Sequence, residues 1–181
     1  MLSSCELPKV DCCQTFSLGA LMLKRPLREN HLIKTMKLTV YLSGEIHTDW
    51  RQQIIQGSDD LELNLNFTSA VTNHEASDAA GDILGAEENS FWRDHKSSKV
   101  NSIRTQTMIK NCDIAVIRFG EKYKQWNAAF DAGYCSALGK PYITLHDDTI
   151  IHPLKEVDGA AMAWATSPQQ IVEILKYVSA Q

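Results

Sequence analysis

From Lys37 to the C-terminus, apolar segments of strand length alternate with segments of helical spacing. The predicted strands are residues 38–42, 61–67, 113–119, 142–145 and 160–164. The predicted helices are residues 49–56, 99–110, a helix that contains Asp131, and residues 168–177. Because each helix returns the chain over the sheet, this alternation is typical of parallel strands with helices on both faces. The sequence therefore predicts an α/β fold, a doubly wound sheet of about five parallel strands in a Rossmann-like three-layer sandwich.

Length and composition fit a single domain with an appended segment. At 181 residues with 44% hydrophobic side chains, the chain can bury one core. Residues 1–35 show neither helical nor alternating periodicity, and Met36 immediately precedes the first predicted strand. We therefore expect a disordered N-terminal extension over residues 1–35 and a folded domain over residues 36–181.

Charge and hydropathy restrict the partners of the chain. The net charge of −4 disfavours an electrostatic attraction to nucleic acid polymers or anionic membranes. No apolar run approaches the roughly 20 residues that cross a bilayer. The acidic residues Glu6 and Asp11 are atypical of a transit peptide. We expect a cytoplasmic protein that binds neither a nucleic acid polymer nor a membrane.

The five cysteines favour reduced thiols over a disulfide framework. Their number is odd, and Cys112 and Cys135 fall in predicted regular structure. The adjacent Cys12 and Cys13 lack further ligands at the spacing that zinc requires. Residues 73–82 contain metal-capable side chains without the ligand spacing of a calcium loop, so we interpret them as a solvated lid. We predict no metal site.

The helix around Asp131 consists almost wholly of small or apolar residues, in the run Trp126-Asn-Ala-Ala-Phe-Asp-Ala-Gly133. Asn127 is predicted to cap its N-terminus, and Gly139 to end it in the left-handed conformation before Pro141. Asp131 then lies within the first two turns, where free backbone N–H groups favour negative charge. This carboxylate is therefore a candidate functional group, and the alternative is a solvated acid at a helix start.

Doubly wound sheets bind ligands outside the carboxyl ends of their strands, so the loops after strands are the candidate cleft. Residues 43–49 follow the first predicted strand, and residues 120–126 follow the third. No Gly-x-Gly-x-x-Gly follows the first strand, and no P-loop lysine pattern occurs. A dinucleotide-dependent enzyme and a nucleoside triphosphatase are thus disfavoured, and we predict no cofactor.

Three sequence motifs resemble the nucleoside 2-deoxyribosyltransferase superfamily. They are Val40-Tyr-Leu-Ser-Gly44, Asn111-Cys-Asp-Ile-Ala-Val116 and Ala129-Phe-Asp-Ala-Gly-Tyr134, the last followed after two residues by Ala-Leu-Gly-Lys-Pro141. A fourth motif, Gly44-Glu-Ile-His-Thr-Asp-Trp-Arg51, resembles the YtoQ branch of that superfamily. The resemblance extends from Met36 to the C-terminus.

This resemblance implies a flavodoxin-like fold and cleavage of the N-glycosidic bond of a nucleoside or nucleotide through a carboxylate nucleophile. The sugar would then pass to another base in a transferase, or to water in a hydrolase. The implied partner is a small-molecule nucleoside or nucleotide. The resemblance also implies a homo-oligomer in which neighbouring subunits complete each other's sites.

The same motifs imply roles for individual residues. Asp131 stands where the superfamily has its nucleophile, which is usually a glutamate. Tyr41 matches the tyrosine that orients the nucleophile, Gly44 belongs to the loop that closes over sugar or phosphate, and Asp49 matches an acid near the start of the first helix. The transferases also have a base-holding aspartate shortly before the third strand, where this chain reads Arg-Thr-Gln-Thr over residues 104–107. Base recognition is therefore expected to differ.

Other residues complete the candidate site. His47, Glu45 and Asp49 are candidate general acids for the departing base, with His47 first among them. The alternative for His47 and Glu45 is a hydrogen-bonded pair that fixes the loop. Trp126 and Tyr123 are candidates for stacking on a base or for packing against the helix start.

Ser43 and Asn127 are further candidate substrate contacts. Arg104 ends a basic interval over residues 93–104. The cations of this interval would either hold a phosphate or face solvent at a helix start, and we favour the solvent-facing interpretation.

The sequence thus predicts an enzyme that cleaves an N-glycosidic bond with Asp131 as nucleophile. The missing acid at residues 104–107 leaves open a nucleotide-binding or signalling module that has kept the fold and lost catalysis. A flavodoxin-type electron carrier is a third interpretation, against which the first loop lacks a Ser/Thr-rich phosphate loop.

Overall fold

A computed structural model of the protein describes residues 37–122 and 125–180, which lie in one compact unit. The predicted extension over residues 1–35 and the candidate stacking residue Tyr123 lie outside the described residues. None of the described helices is long and apolar enough to cross a membrane.

Strands and helices alternate along the described chain. The strands are β1 (Leu38–Gly44), β2 (Leu65–Ser69), β3 (Ile114–Arg118), β4 (Tyr142–Leu145) and β5 (Ala163–Ala165). The α-helices are α1 (Trp50–Asp60), α2 (His74–Asp78), α3 (Ser90–Asn111), α4 (Trp126–Ala137), α5 (Lys155–Ala160) and α6 (Pro168–Ser179). Short 3-10 helices occupy Ala79–Leu84, Asp148–Ile150 and His152–Leu154.

All five strands pair in parallel, in the order β2-β1-β3-β4-β5. This is the strand order of flavodoxin-like sheets, whose switch point lies between β1 and β3. The predicted α/β class and the flavodoxin-like parallel sheet are therefore confirmed. The register pairs Gly44, the last residue of β1, with Arg118, the last residue of β3. The loops after both central strands consequently start at the same edge of the sheet.

The sheet carries an apolar core on each face. On one face, β1 packs with α1 and α6 through Val40, Leu42, Ile54, Ile171 and Leu175. On the other face, β1 and β3 pack with α3 and α4 through Tyr41, Ile117, Ile109, Ala128, Ala132 and Cys135. Each fully buried Leu or Ile contributes roughly 1.5–3 kcal/mol. The α4 contacts are made by small side chains, which allow that helix to lie close to the sheet.

The predicted boundary between the first helix and the second strand is wrong. α1 continues to Asp60, and β2 begins only at Leu65. A Cβ built on Gly57 of α1 would lie 3.0 Å from Cγ2 of Val172 in α6, so the two helices are in close contact there. This packing extends α1 through residues of low helix propensity. Glu62 then turns the chain in the left-handed region, at φ 52°.

α3 is longer than predicted, because it begins at Ser90 and not near Lys99. Asn89 caps it by accepting a hydrogen bond from the backbone N–H of Trp92. The preceding segment, which was predicted to be a solvated lid, forms α2 and the 3-10 helix Ala79–Leu84, and both contact α3.

Hydrogen bonds of Ser97 hold α2 and the following 3-10 helix against α3. Its hydroxyl donates to the carbonyl of Asp78 at 2.5 Å and accepts from the N–H of Gly81 at 3.1 Å. Asn101 adds a hydrogen bond from Nδ2 to the carbonyl of Ser77 at 3.0 Å. Gly81 and Ser97 are buried. Residues 73–82 are therefore packed on α3, although most of their side chains remain exposed.

α4 begins before its predicted cap. Gln125 is the N-cap and Asn127 lies in the first turn, so the prediction that Asn127 caps the helix is wrong. Oε1 of Gln125 accepts a hydrogen bond from the N–H of Gly120 at 2.9 Å, which ties the loop after β3 to the helix start. The other end is as predicted, since Gly139 has a φ of 65° and ends the helix in the left-handed conformation.

Cys112 and Cys135, the cysteines of the described region, are buried free thiols. Burial raises the pKa of both, that of Cys135 to about 12. Thiols with raised pKa values stay protonated at neutral pH and are poor nucleophiles. Both cysteines therefore act as small apolar groups in the core on the α4 side.

Gly44 provides a test of the close approach between β1 and β3. Its φ is 100°, and a Cβ added there would lie 2.0 Å from the carbonyl oxygen of Arg118. We expect Gly44→Ala to lower the free energy of unfolding by about 1–3 kcal/mol, measured by urea denaturation.

The matched control is Gly133→Ala in α4, where an added Cβ meets nothing within 4 Å. Alanine should stabilise the helix there by up to about 1 kcal/mol. Unfolding free energies that are equal for the wild type and Gly44→Ala would contradict this account of the strand end.

Candidate active site

A cavity of about 1010 Å³ opens at the carboxyl edge of the sheet, beside the switch point between β1 and β3. Its walls come from the loop after β1, from α3 and α4, and from the segment that follows β2. The predicted site residues that line it are Ser43, Gly44, Glu45, His47, Arg104, Trp126, Asn127 and Asp131. The fold thus brings residues from three parts of the chain to the edge where such sheets bind ligands.

Asp131 is a buried acid in the wall of this cavity. It lies in the second turn of α4, and 7% of its surface is exposed. Ser43, near the end of β1, donates a hydrogen bond from Oγ to Oδ2 of Asp131 at 2.5 Å. Ser43 is itself buried. A hydroxyl of the central strand therefore fixes the direction of a carboxyl group that still contacts the cavity.

Tyr41 is fully buried on the face of β1 that also carries Ser43. Its hydroxyl lies near Asp131, Ser43 and Thr105. It makes no hydrogen bond of ordinary geometry with a described residue. Burial and then the neighbouring charge of Asp131 raise the pKa of Tyr41, so the phenol keeps its proton. A proton-bearing group thus stands beside the carboxyl group of Asp131.

Burial raises the pKa of Asp131 above the ordinary value of an aspartate, and the hydroxyls of Ser43 and Tyr41 offset part of that rise. The physical reason is that a buried carboxylate loses hydration and so favours its neutral form. Perturbed acids that border a cavity are more frequent at functional sites than elsewhere.

Glu45 fixes the loop after β1. Its carboxylate accepts hydrogen bonds from the backbone N–H of His47 and, at 2.6 Å, from the hydroxyl of Thr48. Burial alone would raise the pKa of Glu45, but these hydrogen bonds outweigh burial and lower it. This geometry agrees with the loop-fixing alternative for Glu45. His47 is exposed and lines the cavity.

Trp50 and Arg51 of α1, which the sequence analysis did not predict for the site, hold the same loop by hydrogen bonds to its carbonyl groups. Trp50 donates from Nε1 to the carbonyl of Glu45 at 2.8 Å, and Arg51 donates from Nη2 to the carbonyl of Gly44 at 3.0 Å. The Arg51 guanidinium also stacks on the Trp50 ring, 4.4 Å from its centroid. The available signal was their position directly after the predicted loop. Burial lowers the pKa of Arg51 to about 10, which leaves it charged at neutral pH.

Trp126 and Phe130 form an exposed aromatic pair on α4. They are 71% and 63% exposed, and both line the cavity. Trp126 was predicted as a stacking residue, whereas Phe130 was missed. Residues four apart on a helix lie on the same face, so the spacing of these two aromatics was the signal.

Asp49 is placed away from the cavity. It is exposed before α1, its Oδ1 accepts a hydrogen bond from Nε2 of Gln53 at 2.7 Å, and it is not among the described residues that line the cavity. Arg104, by contrast, lines the cavity from α3 together with Thr105 and Gln106. The segment that lacks the base-holding acid is therefore part of the wall.

α2 adds two further residues that the sequence analysis missed. Nδ1 of His74 lies 3.1 Å from Oδ2 of Asp78, and both side chains are exposed and line the cavity. Their spacing of four residues was the available signal. In the described part of the chain, no group of three or more His, Cys, Asp or Glu side chains is arranged to hold a metal ion.

A family model described as nucleoside 2-deoxyribosyltransferase YtoQ matches residues 41–179. The chain belongs to this family. The match includes the loop after β1, α3 and α4, which carry the residues of the cavity described above. A relative from Bacillus subtilis (strain 168), described as uncharacterized protein YtoQ, is 39% identical over 144 residues, which are 79% of this chain and 97% of the relative.

Solved structures are similar at lower sequence identity. A conserved protein from Enterococcus faecalis V583 has a TM-score of 0.55 and 13% identity, and the match covers 79% of this chain and 99% of that one. This similarity supports the fold alone. A 2-deoxyribosyltransferase from Bacillus psychrosaccharolyticus has a TM-score of 0.44 and 16% identity, over 74% of this chain and 90% of that one.

The burial of Asp131 predicts a pH-dependent cost to stability. Because its pKa is raised in the folded state, the protein loses stability as the pH rises through that pKa and the buried group ionises. Asp131→Asn should therefore raise the melting temperature at pH 7. The gain should shrink toward pH 4, since the ordinary pKa of an aspartate is about 3.9.

Differential scanning calorimetry at several pH values measures this effect. Asp59→Asn, which removes an exposed carboxylate at the end of α1, is the control and should change stability by no more than about 0.5 kcal/mol. A melting temperature that falls in Asp131→Asn at pH 7 would show that the ionised carboxylate stabilises the fold, contrary to this account.

Proposed function

We propose that this protein cleaves the N-glycosidic bond of a nucleoside or nucleotide, with Asp131 as the nucleophile. The observation that carries the proposal is the buried Asp131 carboxyl group, held by Ser43 at the wall of the large cavity. Membership of the nucleoside 2-deoxyribosyltransferase YtoQ family supports it.

The chemistry requires one carboxylate to act twice. As the bond from the anomeric carbon to the base nitrogen breaks, its electron pair leaves with the base, and positive charge develops on the sugar ring. The ionised Asp131 stabilises that charge and then bonds to the anomeric carbon. Water or a second base displaces the carboxylate in a second step and regenerates it. Ionisation is favoured by the hydroxyl of Ser43, which donates to the charged form.

Three further roles follow from placement. Tyr41, whose protonated hydroxyl is close to Asp131, is a positioning residue for the nucleophile. His47, on the loop after β1, is the proposed acid that protonates the departing base. Trp126 and Phe130 offer ring faces on which a planar base stacks.

The remaining predicted contacts have smaller roles in this proposal. Gly44 lets the chain turn closely against Arg118 and begin the loop that borders the cavity, and Asn127 at the start of α4 offers amide donors and acceptors to the substrate. Glu45 supports the loop rather than the substrate. Asp49 is not among the described residues that line the cavity, so we assign it no role in the site formed by one chain. A homo-oligomer and a cytoplasmic location remain predictions from the sequence, and size-exclusion chromatography with light scattering tests the first.

A nucleotide-binding module without catalysis is the second candidate. It is favoured by one observation, that Arg104, Thr105 and Gln106 line the wall where the transferases have a base-holding acid. The two candidates differ in whether a bound nucleoside is turned over, so one assay separates them.

Chromatographic detection of released base from a panel of nucleosides and 5′-monophosphates tests the proposal. We expect Asp131→Asn to lower kcat/KM at least about a thousandfold for any substrate that the wild type cleaves. Asp59→Asn, exposed on α1 and outside the cavity wall, is the matched control and should retain wild-type turnover. Equal turnover by Asp131→Asn and the wild type would refute the assignment of the nucleophile, and tight binding without turnover by the wild type would favour the second candidate.

A further inference from the structure

A second cavity of about 410 Å³ adjoins the first at the carboxyl ends of β1 and β2. Ala70 and Arg104 line both cavities, so the two are neighbours. The second cavity is otherwise bordered by α1, β2 and the later part of α3. A ligand whose sugar lies at Asp131 therefore has a second compartment within reach along the sheet edge.

The two cavities differ in charge. Four acidic residues line the first cavity, namely Glu45, Asp78, Asp94 and Asp131. Among the described residues that line the second, none is acidic, whereas two are arginines, Arg51 and Arg104. Gln52, Thr68 and Thr72 add neutral hydrogen-bonding groups. Guanidinium and hydroxyl groups are donors that match phosphate oxygens. The second cavity thus combines anion-binding donors with an apolar wall formed by Leu42, Ile55, Phe67, Ala70 and Met108.

Arg51 gives the strongest support. It is 4% exposed, and its guanidinium makes no ion pair within 4.0 Å among the residues that the structure describes. Its three nitrogens each donate to a main-chain carbonyl, of Leu42, Gly44 or Glu45. A guanidinium has five N–H groups, so these bonds leave two of them for another acceptor. Burial of this cation is costly. The charge of Glu45 and the ring of Trp50 offset part of that cost, and an anionic ligand would offset more of it.

Thr68 and Arg104 contribute independent observations. Oγ1 of Thr68 is buried and has no hydrogen-bond partner among the described residues. Buried hydroxyl groups are usually hydrogen-bonded, so such a group at a cavity is a candidate ligand contact. Arg104 is exposed at the boundary of the two cavities, and no hydrogen bond or ion pair occupies its guanidinium within the described part of the chain.

We propose that the second cavity binds a phosphate monoester carried by the substrate, through Arg51, Arg104 and Thr68, so that the preferred ligand is a nucleoside monophosphate and not a free nucleoside. The proposal rests on the proposed function for the position of the sugar. It keeps Arg104 from the basic interval over residues 93–104 but not the earlier cations Arg93 and Lys96, which form ion pairs with Asp82 and Glu87.

Isothermal titration calorimetry on Asp131→Asn protein tests this proposal without turnover. The probes are the four common 2′-deoxynucleosides, their 5′-monophosphates and inorganic phosphate. We expect at least one monophosphate to bind about tenfold or more tightly than the matching nucleoside, and inorganic phosphate to compete with it. Arg104→Gln in the same background should reduce that preference to less than about threefold, and Thr68→Val should weaken it in the same direction.

Lys110→Gln is the matched control, since Lys110 is an exposed cation on the same helix that lines neither cavity. It should leave the preference for the monophosphate unchanged. Equal binding of nucleosides and monophosphates, no binding of either, binding of inorganic phosphate alone, or a preference that survives Arg104→Gln would each overturn the proposal. Because the readout is binding, failure of base release would refute the proposed chemistry and leave the phosphate site standing. Turnover of nucleosides without a preference for the monophosphate would support the proposed chemistry and refute the phosphate site.

Discussion

The hydrogen bond from Ser43 to Asp131 joins the end of the central strand β1 to α4, and the proposed site depends on it. A carboxyl group is costly to bury unless hydrogen bonds replace its hydration. Ser43 supplies one such bond at 2.5 Å, and the hydroxyl of Tyr41 lies close by. The contact also requires α4 to lie near the sheet, which the small side chains of Ala128 and Ala132 permit. The small residues of α4 thus allow an acid to be buried close to the sheet.

The loop after β1 is held by hydrogen bonds of its own. Gly44 has a positive φ that brings the chain against Arg118, and the next residue, Glu45, donates its N–H to the carbonyl of Arg118 at 3.1 Å. Trp50 and Arg51 of α1 also donate hydrogen bonds to carbonyl oxygens of this loop. A site whose loop is fixed before the ligand arrives loses less conformational entropy on binding. Arg51, which holds the loop, is also a buried positive charge that lines the second cavity.

Local patterns in the sequence predicted the central elements well. β4 has the predicted bounds, the strand around Val116 and the left-handed Gly139 were found, and Asp131 was placed at the cavity. These features are encoded by apolar runs and by glycine and proline positions, which act over a few residues. The shared edge of the loops after β1 and β3 followed from the rule that parallel strands end at one edge, whereas the hydrogen bond from Ser43 to Asp131 was not predicted.

The wrong or missing predictions concern features that depend on contacts between residues distant in the sequence. α1 extends past its predicted end because Gly57 packs on α6, and α3 begins early because Ser97 is bonded to the segment before it. The sequence carried weak local signals for Arg51 and Phe130, but the loop that Arg51 holds and the cavity that Phe130 lines are set by the tertiary structure. That Arg51 of α1 and Arg104 of α3 line the same cavity is likewise visible only in three dimensions.

In the proposed reaction, Asp131 forms a covalent bond to the sugar. Mass spectrometry of the wild-type protein, quenched rapidly in acid during turnover of a nucleoside or nucleotide and then digested, tests for this bond. We expect a sugar adduct on the peptide that contains Asp131, with fragmentation placing it on that side chain. An adduct on any other residue, or steady release of base with no adduct at any quench time, would contradict it.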